Sequence, residues 1–180
     1  MLRLRQYKPC DAKNIVSWIK DEETLKKWSA DRFGEFPISA DDINKKYLEN
    51  NGDCVEEDNF YPFTAFDENG VVGHLILRFV DEEKKILRVG FVIIDDSKRG
   101  KGYGKEMLIL ALKYAFDILK TQKVTLGVFE NNLSALRCYK NVGFVEVGAE
   151  SFEIMGEEWK CMELEIDATS NNKNRAIDLK

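Results

Sequence analysis

The chain has 180 residues, 44% apolar and 33% charged, with a net charge of −5, a profile that fits one soluble domain and, lacking a basic surplus, excludes an ordinary nucleic-acid binder. No apolar run reaches the roughly 18 residues of a membrane span, and the opening Met1-Leu-Arg-Leu-Arg-Gln lacks the apolar core of a signal peptide, so a cytoplasmic location is expected. Cys10, Cys54, Cys138 and Cys161 have no CxxC spacing, and the single histidine, His74, stands far from them in sequence; no metal and no disulfide framework are expected, only packing thiols.

Residues 2–7 alternate leucine and arginine and predict a first strand. Asp11 can cap a helix whose apolar face is Ala12, Ile15, Val16 and Ile19. Residues 29–38, with Gly34 and Pro37, read as a loop. Ser39 and Asp42 form a capping-box pattern ahead of Ile43, Tyr47 and Leu48, which predicts the next helix. Residues 50–59 are polar and acidic, a solvated turn or a lip that attracts an amine.

Two strands over residues 60–67 and 71–80 flank Glu68-Asn69-Gly70, a strong hairpin signal. Residues 86–94 are nearly all apolar and predict a central strand buried on both faces. A long helix is expected over 103–119, with Leu108, Ala111, Leu112, Ala115, Phe116 and Leu119 on one face. A strand over 124–129, a helix over 133–141 closed by Gly143, and strands over 144–152 and 159–166 complete the domain. The expectation is one α/β domain over residues 1–166, a single mixed sheet with flanking helices, and a polar tail over 167–180.

Gly100, Gly102 and Gly104 alternate where the long helix begins, beside Lys98, Arg99, Lys101 and Lys105. Helix N-termini carry unpaired amides and a positive dipole end, so this is an anion site suited to a pyrophosphate. The spacing fits neither a Walker loop, because Glu106 follows Lys105, nor the dinucleotide fingerprint, which needs one more residue. Arg99-x-x-Gly102-x-Gly104 resembles the coenzyme A loop of the GNAT acetyltransferases, and Asn132-x-x-Ala135-x-x-x-Tyr139-x-x-x-Gly143-Phe144 resembles a second segment of that superfamily. The opening Leu4-Arg-Gln-Tyr-Lys-Pro-Cys-Asp11, with Trp18, resembles the branch that acetylates ribosomal-protein N-termini.

The resemblance implies a mostly antiparallel sheet of about seven strands flanked by about four helices. It implies acetyl-CoA as cosubstrate, held by Arg99, Gly100, Lys101, Gly102, Tyr103, Gly104 and Lys105, with Val92, Ile93 and Ile94 pairing with the pantetheine arm. A backbone N–H at Val92 or Ile93 would meet the acetyl carbonyl oxygen. Asn132 would cap its helix and bond the cofactor, and Tyr139 would be the general acid. Glu130 and His74 are the candidate bases for the amine. Glu22, Glu23 and Glu35 are available to meet a cationic acceptor. The expected partner is a small-molecule amine or a protein N-terminus, bound by a monomer or homodimer. The alternatives are a silent acetyl-CoA sensor and a structural α/β domain.

Overall fold

The computed structural model describes residues 1–169. Its strands are β1 (Arg3–Gln6), β2 (Tyr61–Asp67), β3 (Gly70–Phe79), β4 (Ile86–Ile94), β5 (Lys123–Phe129), β6 (Val145–Ile154) and β7 (Glu157–Asp167). Its helices are α1 (Ala12–Trp18), α2 (Glu22–Ser29), α3 (Ala40–Asn44), α4 (Tyr103–Lys113) and α5 (Leu133–Val142), and π-helical turns extend α3 through Lys45–Glu49 and α4 through Tyr114–Ile118. The sheet is mixed, in the order β1-β2-β3-β4-β5-β7-β6. β4 and β5 run parallel over Ile86–Arg88 and Lys123–Thr125, and β1–β2, β2–β3, β5–β7 and β7–β6 are antiparallel. This is the GNAT-type sheet expected, with five helices in place of about four.

The additional helix is α2. Asp21 caps it, accepting the Thr24 N–H at 2.7 Å, and Leu25 and Trp28 bury its inner face. β7 runs on to Asp167, into the stretch expected as tail, and residues 170–180 lie outside the described residues. β4 is not buried on both faces: Leu87, Val89, Phe91 and Ile93 are buried, and the residues between them are only half-buried. Cys161 is buried as a packing thiol, but Cys10 is exposed, and none of the four cysteines forms a disulfide among the described residues.

The chain forms two compact units, Met1–Arg78 with Val89–Met107, and Phe79–Arg88 with the chain from Leu108 onward. In the first, Asp11 is buried and does not cap α1 with its side chain. It accepts instead from both Arg5 guanidinium nitrogens at 2.7 and 2.8 Å, from the Lys8 N–H at 2.8 Å and from the Thr64 hydroxyl at 2.8 Å. Burial acts to raise its pKa, and the hydrogen bonds from Arg5, Lys8 and Thr64 outweigh it, leaving the carboxyl below the usual range. In the second unit, Arg88 forks onto Glu163 at 2.7 and 2.8 Å. Gly127 is glycine because a Cβ there would stand 2.7 Å from the Arg88 guanidinium and 3.0 Å from Glu163.

An aromatic core in the first unit surrounds His74. Tyr47 stacks on the imidazole at 5.5 Å and its hydroxyl meets Nε2 at 2.9 Å, while Tyr7 approaches edge-on at 5.8 Å. Nδ1 has no hydrogen-bond partner. Burial lowers the His74 pKa to about 3, against the opposing pull of Asp11 and the Phe63 backbone.

Two stability predictions follow from these buried groups. Asp11→Ala should cost about 3 kcal/mol in urea unfolding, because it strips the partner from a half-buried guanidinium, whereas Thr64→Val should cost about 1 kcal/mol. The unfolded chain binds a proton at His74 below about pH 6.5, and the folded chain does not until about pH 3. Stability should therefore fall on acidification through that window, by up to ~1.4 kcal/mol per pH unit from this residue. His74→Gln should flatten the fall of the unfolding free energy between roughly pH 6.5 and 4; an unchanged slope would remove His74 as its source.

Candidate active site

Sequence and packing together set the end of β4. Phe91 is buried within the strand yet has φ of 48°, a conformation that bulky residues rarely adopt. It is held by aromatic neighbours, with Trp28 at 5.2 Å, Phe33 at 5.5 Å and Tyr47 at 6.1 Å. Val92, Ile93 and Ile94 follow directly, with Ile93 buried and its neighbours half-buried. The Asp95 N–H then bonds Val72 O at 3.0 Å, fixing where the strand ends.

A short 3-10 turn, Asp96–Lys98, leads into the glycine segment, with Asp95 accepting the Ser97 N–H at 2.9 Å. Gly100 and Gly102 have φ of 74° and 88°, which only glycine adopts without strain. A Cβ on either would meet nothing within 4 Å, so the space over the turn is open. The first main-chain bond of α4 runs from the Glu106 N–H to Gly102 O at 3.0 Å, so the amides of residues 102–105 stand ahead of the helical ladder. The cations divide in two. Arg99 turns back to Ile94 O at 3.3 Å and to Asp96 at 2.9 Å, and Lys101 to Ser97 O at 2.9 Å. They brace the turn, while exposed Lys105 sits on the first turn of the helix.

Two contacts that sequence reading did not find anchor this turn. The Tyr103 hydroxyl donates to Asp67 Oδ2 at 2.9 Å, tying the helix start to the end of β2. Gly73 on β3 is the second: a Cβ there would lie 2.6 Å from Ile94 Cδ1 and 3.0 Å from Met107 Sδ. Asp67 and Tyr103 are 36 residues apart, and no local pattern links them.

In the second unit, β5 ends at Phe129 and Glu130 follows in an exposed turn, its N–H bonded to Lys160 O at 2.8 Å. Asn132 caps α5 as expected, its side chain accepting from the Ala135 N–H at 3.4 Å. Tyr139 lies on the buried face of α5, edge-on to Phe144 at 6.2 Å. Burial raises its pKa, so the phenol stays protonated. Gly143 closes the helix with φ of 114°.

The two candidate bases stand in different surroundings. Glu130 is open to solvent, and His74 is sealed in the aromatic core of the first unit. With its pKa near 3, the imidazole holds no proton taken from an ammonium at neutral pH. The acidic residues near the first helices are mostly engaged: Glu22 accepts the Phe36 N–H at 2.6 Å and meets Lys26 at 3.4 Å, Glu23 pairs with Lys27 at 2.6 Å, and Asp53 of the acidic turn pairs with Lys46. No group of metal-ligating side chains occurs among the described residues, and none of their helices is long and apolar enough to cross a membrane.

Comparison with known proteins gives one consistent result. Residues 1–145 match the acetyltransferase (GNAT) domain family. The spermine/spermidine N(1)-acetyltransferase of Bacillus subtilis is 32% identical over 127 residues, which cover 66% of this chain and 82% of that protein. The uncharacterized prophage-derived N-acetyltransferase YokL of Bacillus subtilis is 28% identical over 148 residues, 82% of this chain and 77% of that protein. Among solved structures, spermidine N-acetyltransferase from Vibrio cholerae in complex with CoA and spermine superposes with a TM-score of 0.78 at 24% identity, covering 95% of this chain and 98% of that one. The relatives named for a substrate are polyamine acetyltransferases, so the likeness to the ribosomal N-terminal branch is corrected to the wider family. With its glycine turn, its mixed seven-stranded sheet and these relatives, the chain belongs to the GNAT acetyltransferase family and is an N-acetyltransferase.

Proposed function

We propose that the protein transfers the acetyl group of acetyl-CoA directly to a primary amine of a small polyamine-class molecule. The observation that carries the cosubstrate assignment is the glycine turn, where Gly100 and Gly102 leave open space beside amides that α4 cannot use. A diphosphate is the anion such a turn suits. The acceptor class rests on the polyamine acetyltransferase of Bacillus subtilis, the relative that is 32% identical. A protein N-terminus has no comparable support.

Acetyl-CoA supplies the acetyl group as an activated thioester. The main chain at residues 99–105 holds its diphosphate, and the edge of β4 at Val92–Ile94 orients its arm. A backbone N–H at Val92 or Ile93 donates to the carbonyl oxygen as charge develops there, an interaction that contributes about 3 kcal/mol in comparable sites. The amine nitrogen bonds to the acetyl carbon, the carbon–sulfur bond breaks, the departing sulfur takes the Tyr139 proton, and the phenolate regains a proton from solvent as the products leave. The proton lost by the amine passes to water, by way of Glu130 where that carboxylate is within reach. Asn132 keeps its cap and offers its amide to the cofactor arm. His74 is excluded from this scheme by its burial. The cytoplasmic location and monomeric or dimeric state expected from sequence are retained in this reading.

Thiol release from acetyl-CoA with spermidine, spermine and a free-N-terminal peptide tests the proposal. Release with the polyamines and an acetylated product by mass are expected. Acetyl-CoA binding with no release on any amine would favour the sensor. Gly102→Glu should weaken acetyl-CoA binding by about 100-fold or more, since charge and bulk enter the open space over the turn, and should lower Tm by roughly a few degrees because a side chain at that positive φ is strained. Tyr139→Phe should lower kcat by about 10–1000-fold and leave acetyl-CoA affinity intact; a normal kcat removes the phenol from the reaction.

A further inference from the structure

The first turn of α4 is tied to the sheet along one face. Tyr103, Glu106 and Met107 stand three and four residues apart, which puts them on one side of a helix. The Tyr103 hydroxyl donates to Asp67 Oδ2 at 2.9 Å, Glu106 Oε1 accepts the Leu2 N–H at 3.4 Å, and Met107 packs where Gly73 lacks a Cβ. The apolar contact sets how closely the helix approaches β3 but leaves it free to roll. Hydrogen bonds weaken steeply off axis, so the two polar ties set its rotation. The tie to Asp67 is the shorter of the two, and Asp67 is only 6% exposed.

Asp67 is committed on both oxygens. Its Oδ1 accepts the Asn69 N–H at 2.8 Å within the turn between β2 and β3, so the carboxylate has little freedom to follow a moving phenol. The bonds from Asn69 and Tyr103 hold its pKa below the usual range, and the Lys98 charge acts in the same direction. It is therefore ionised at neutral pH. A negative charge at the start of a helix competes with a bound anion for the same positive dipole end. The charge of Asp67 thus works against a diphosphate on the neighbouring amides, and what the residue offers that ligand is geometry.

We propose that Asp67 is a positioning residue for the cosubstrate: by holding the Tyr103 hydroxyl it fixes the rotation of α4, and with it the direction in which the amides of residues 102–105 face the diphosphate. The effect on affinity rests on the acetyl-CoA reading of the glycine turn; the fixing of the helix by Asp67 does not. Asp67 touches neither cosubstrate nor amine in this scheme and acts through Tyr103.

The test compares three variants of the full chain. Tyr103→Phe removes the tie and leaves the ring, the glycines and the turn at Asn69 in place. Asp67→Asn keeps it: the amide oxygen can take the Asn69 N–H while the amide nitrogen donates to the Tyr103 oxygen, because a phenol both donates and accepts. Titration calorimetry should show the Kd for acetyl-CoA about 10-fold higher in Tyr103→Phe and within about threefold of the unmodified protein in Asp67→Asn. The double variant should bind as weakly as Tyr103→Phe, since the hydroxyl is gone. Without ligand, hydrogen exchange at the Glu106 N–H, which bonds Gly102 O at 3.0 Å, should run roughly 10-fold faster in Tyr103→Phe and stay unchanged in Asp67→Asn. An unchanged Kd in Tyr103→Phe overturns the proposal. So does equal weakening in Asp67→Asn, because Asp67 would then act by its charge. Affinity restored in the double variant overturns it too, because a freed carboxylate repelling the diphosphate would be the cause. Faster exchange in a protein that binds no acetyl-CoA even when unmodified supports the tie and overturns the acetyl-CoA reading.

Discussion

A helix cannot pair the amides of its own first turn, and the chemistry proposed here depends on where those amides are left. In this chain they stand at α4, which follows the end of β4 at Ile94 by way of a 3-10 turn and the glycine segment. Both ends of that junction are fixed by contacts within the first unit. Asp95 bonds back to Val72, Tyr103 reaches Asp67, and Gly73 lacks the Cβ that would meet Ile94 and Met107. The open amides are thus aimed by the sheet, with the glycines supplying only the freedom to turn. A helix with the same residues, fixed less firmly, would offer its dipole in many directions and bind an anion weakly.

Several of the charges in this protein are engaged within the fold. Asp11 is matched by Arg5, Glu163 by Arg88, and the segment after α2 by Lys26, all as hydrogen-bonded pairs, with Asp11 and Lys26 buried and Arg88 and Glu163 half-buried. Arg99 and Lys101, counted from sequence as charge for a phosphate, bond to the turn that carries them. Glu22 and Glu23, counted as charge for an amine, are paired with lysines one helical turn away. A formal count of charges around a motif therefore overstates what a ligand meets. What remains for the ligand is Lys105 and the main chain, and no count of side chains reports the latter.

Much of the fold was legible because it is written in local pattern. The Asn69-Gly70 hairpin, the capping box at Ser39 and Asp42, and the Asn132 cap with Gly143 at the other end of α5 all stand where the spacing puts them. α2 was overlooked although Asp21 and Thr24 mark its start, because a short helix rich in charged residues shows only Leu25 and Trp28 as an apolar stripe. Asp11 was read as a local cap, and the structure gives it to Arg5 and Thr64, since a carboxylate that can reach a guanidinium and a strand hydroxyl at once is better satisfied there. The glycine turn was legible from its spacing. The bend at Phe91 and the burial of Lys26 were not, because each is fixed by residues distant in sequence, Trp28 and Phe33 for the first and the segment around Asp31 and Gly34 for the second.

Burial acts on the two ring side chains singled out from sequence by the same physics and with opposite consequences. Removing a group from water disfavours its charged form. For Tyr139 the charged form is the phenolate, so burial favours the proton on the oxygen. For His74 the charged form is the imidazolium, so burial keeps the proton off. A proton donor is useful while it still holds its proton, whereas a base must be able to keep the proton it accepts. Burial therefore leaves a tyrosine fit to donate, though it makes the phenol a weaker acid, and leaves a histidine unfit to accept. In the proposed reaction the amine therefore sheds its proton to groups in contact with water.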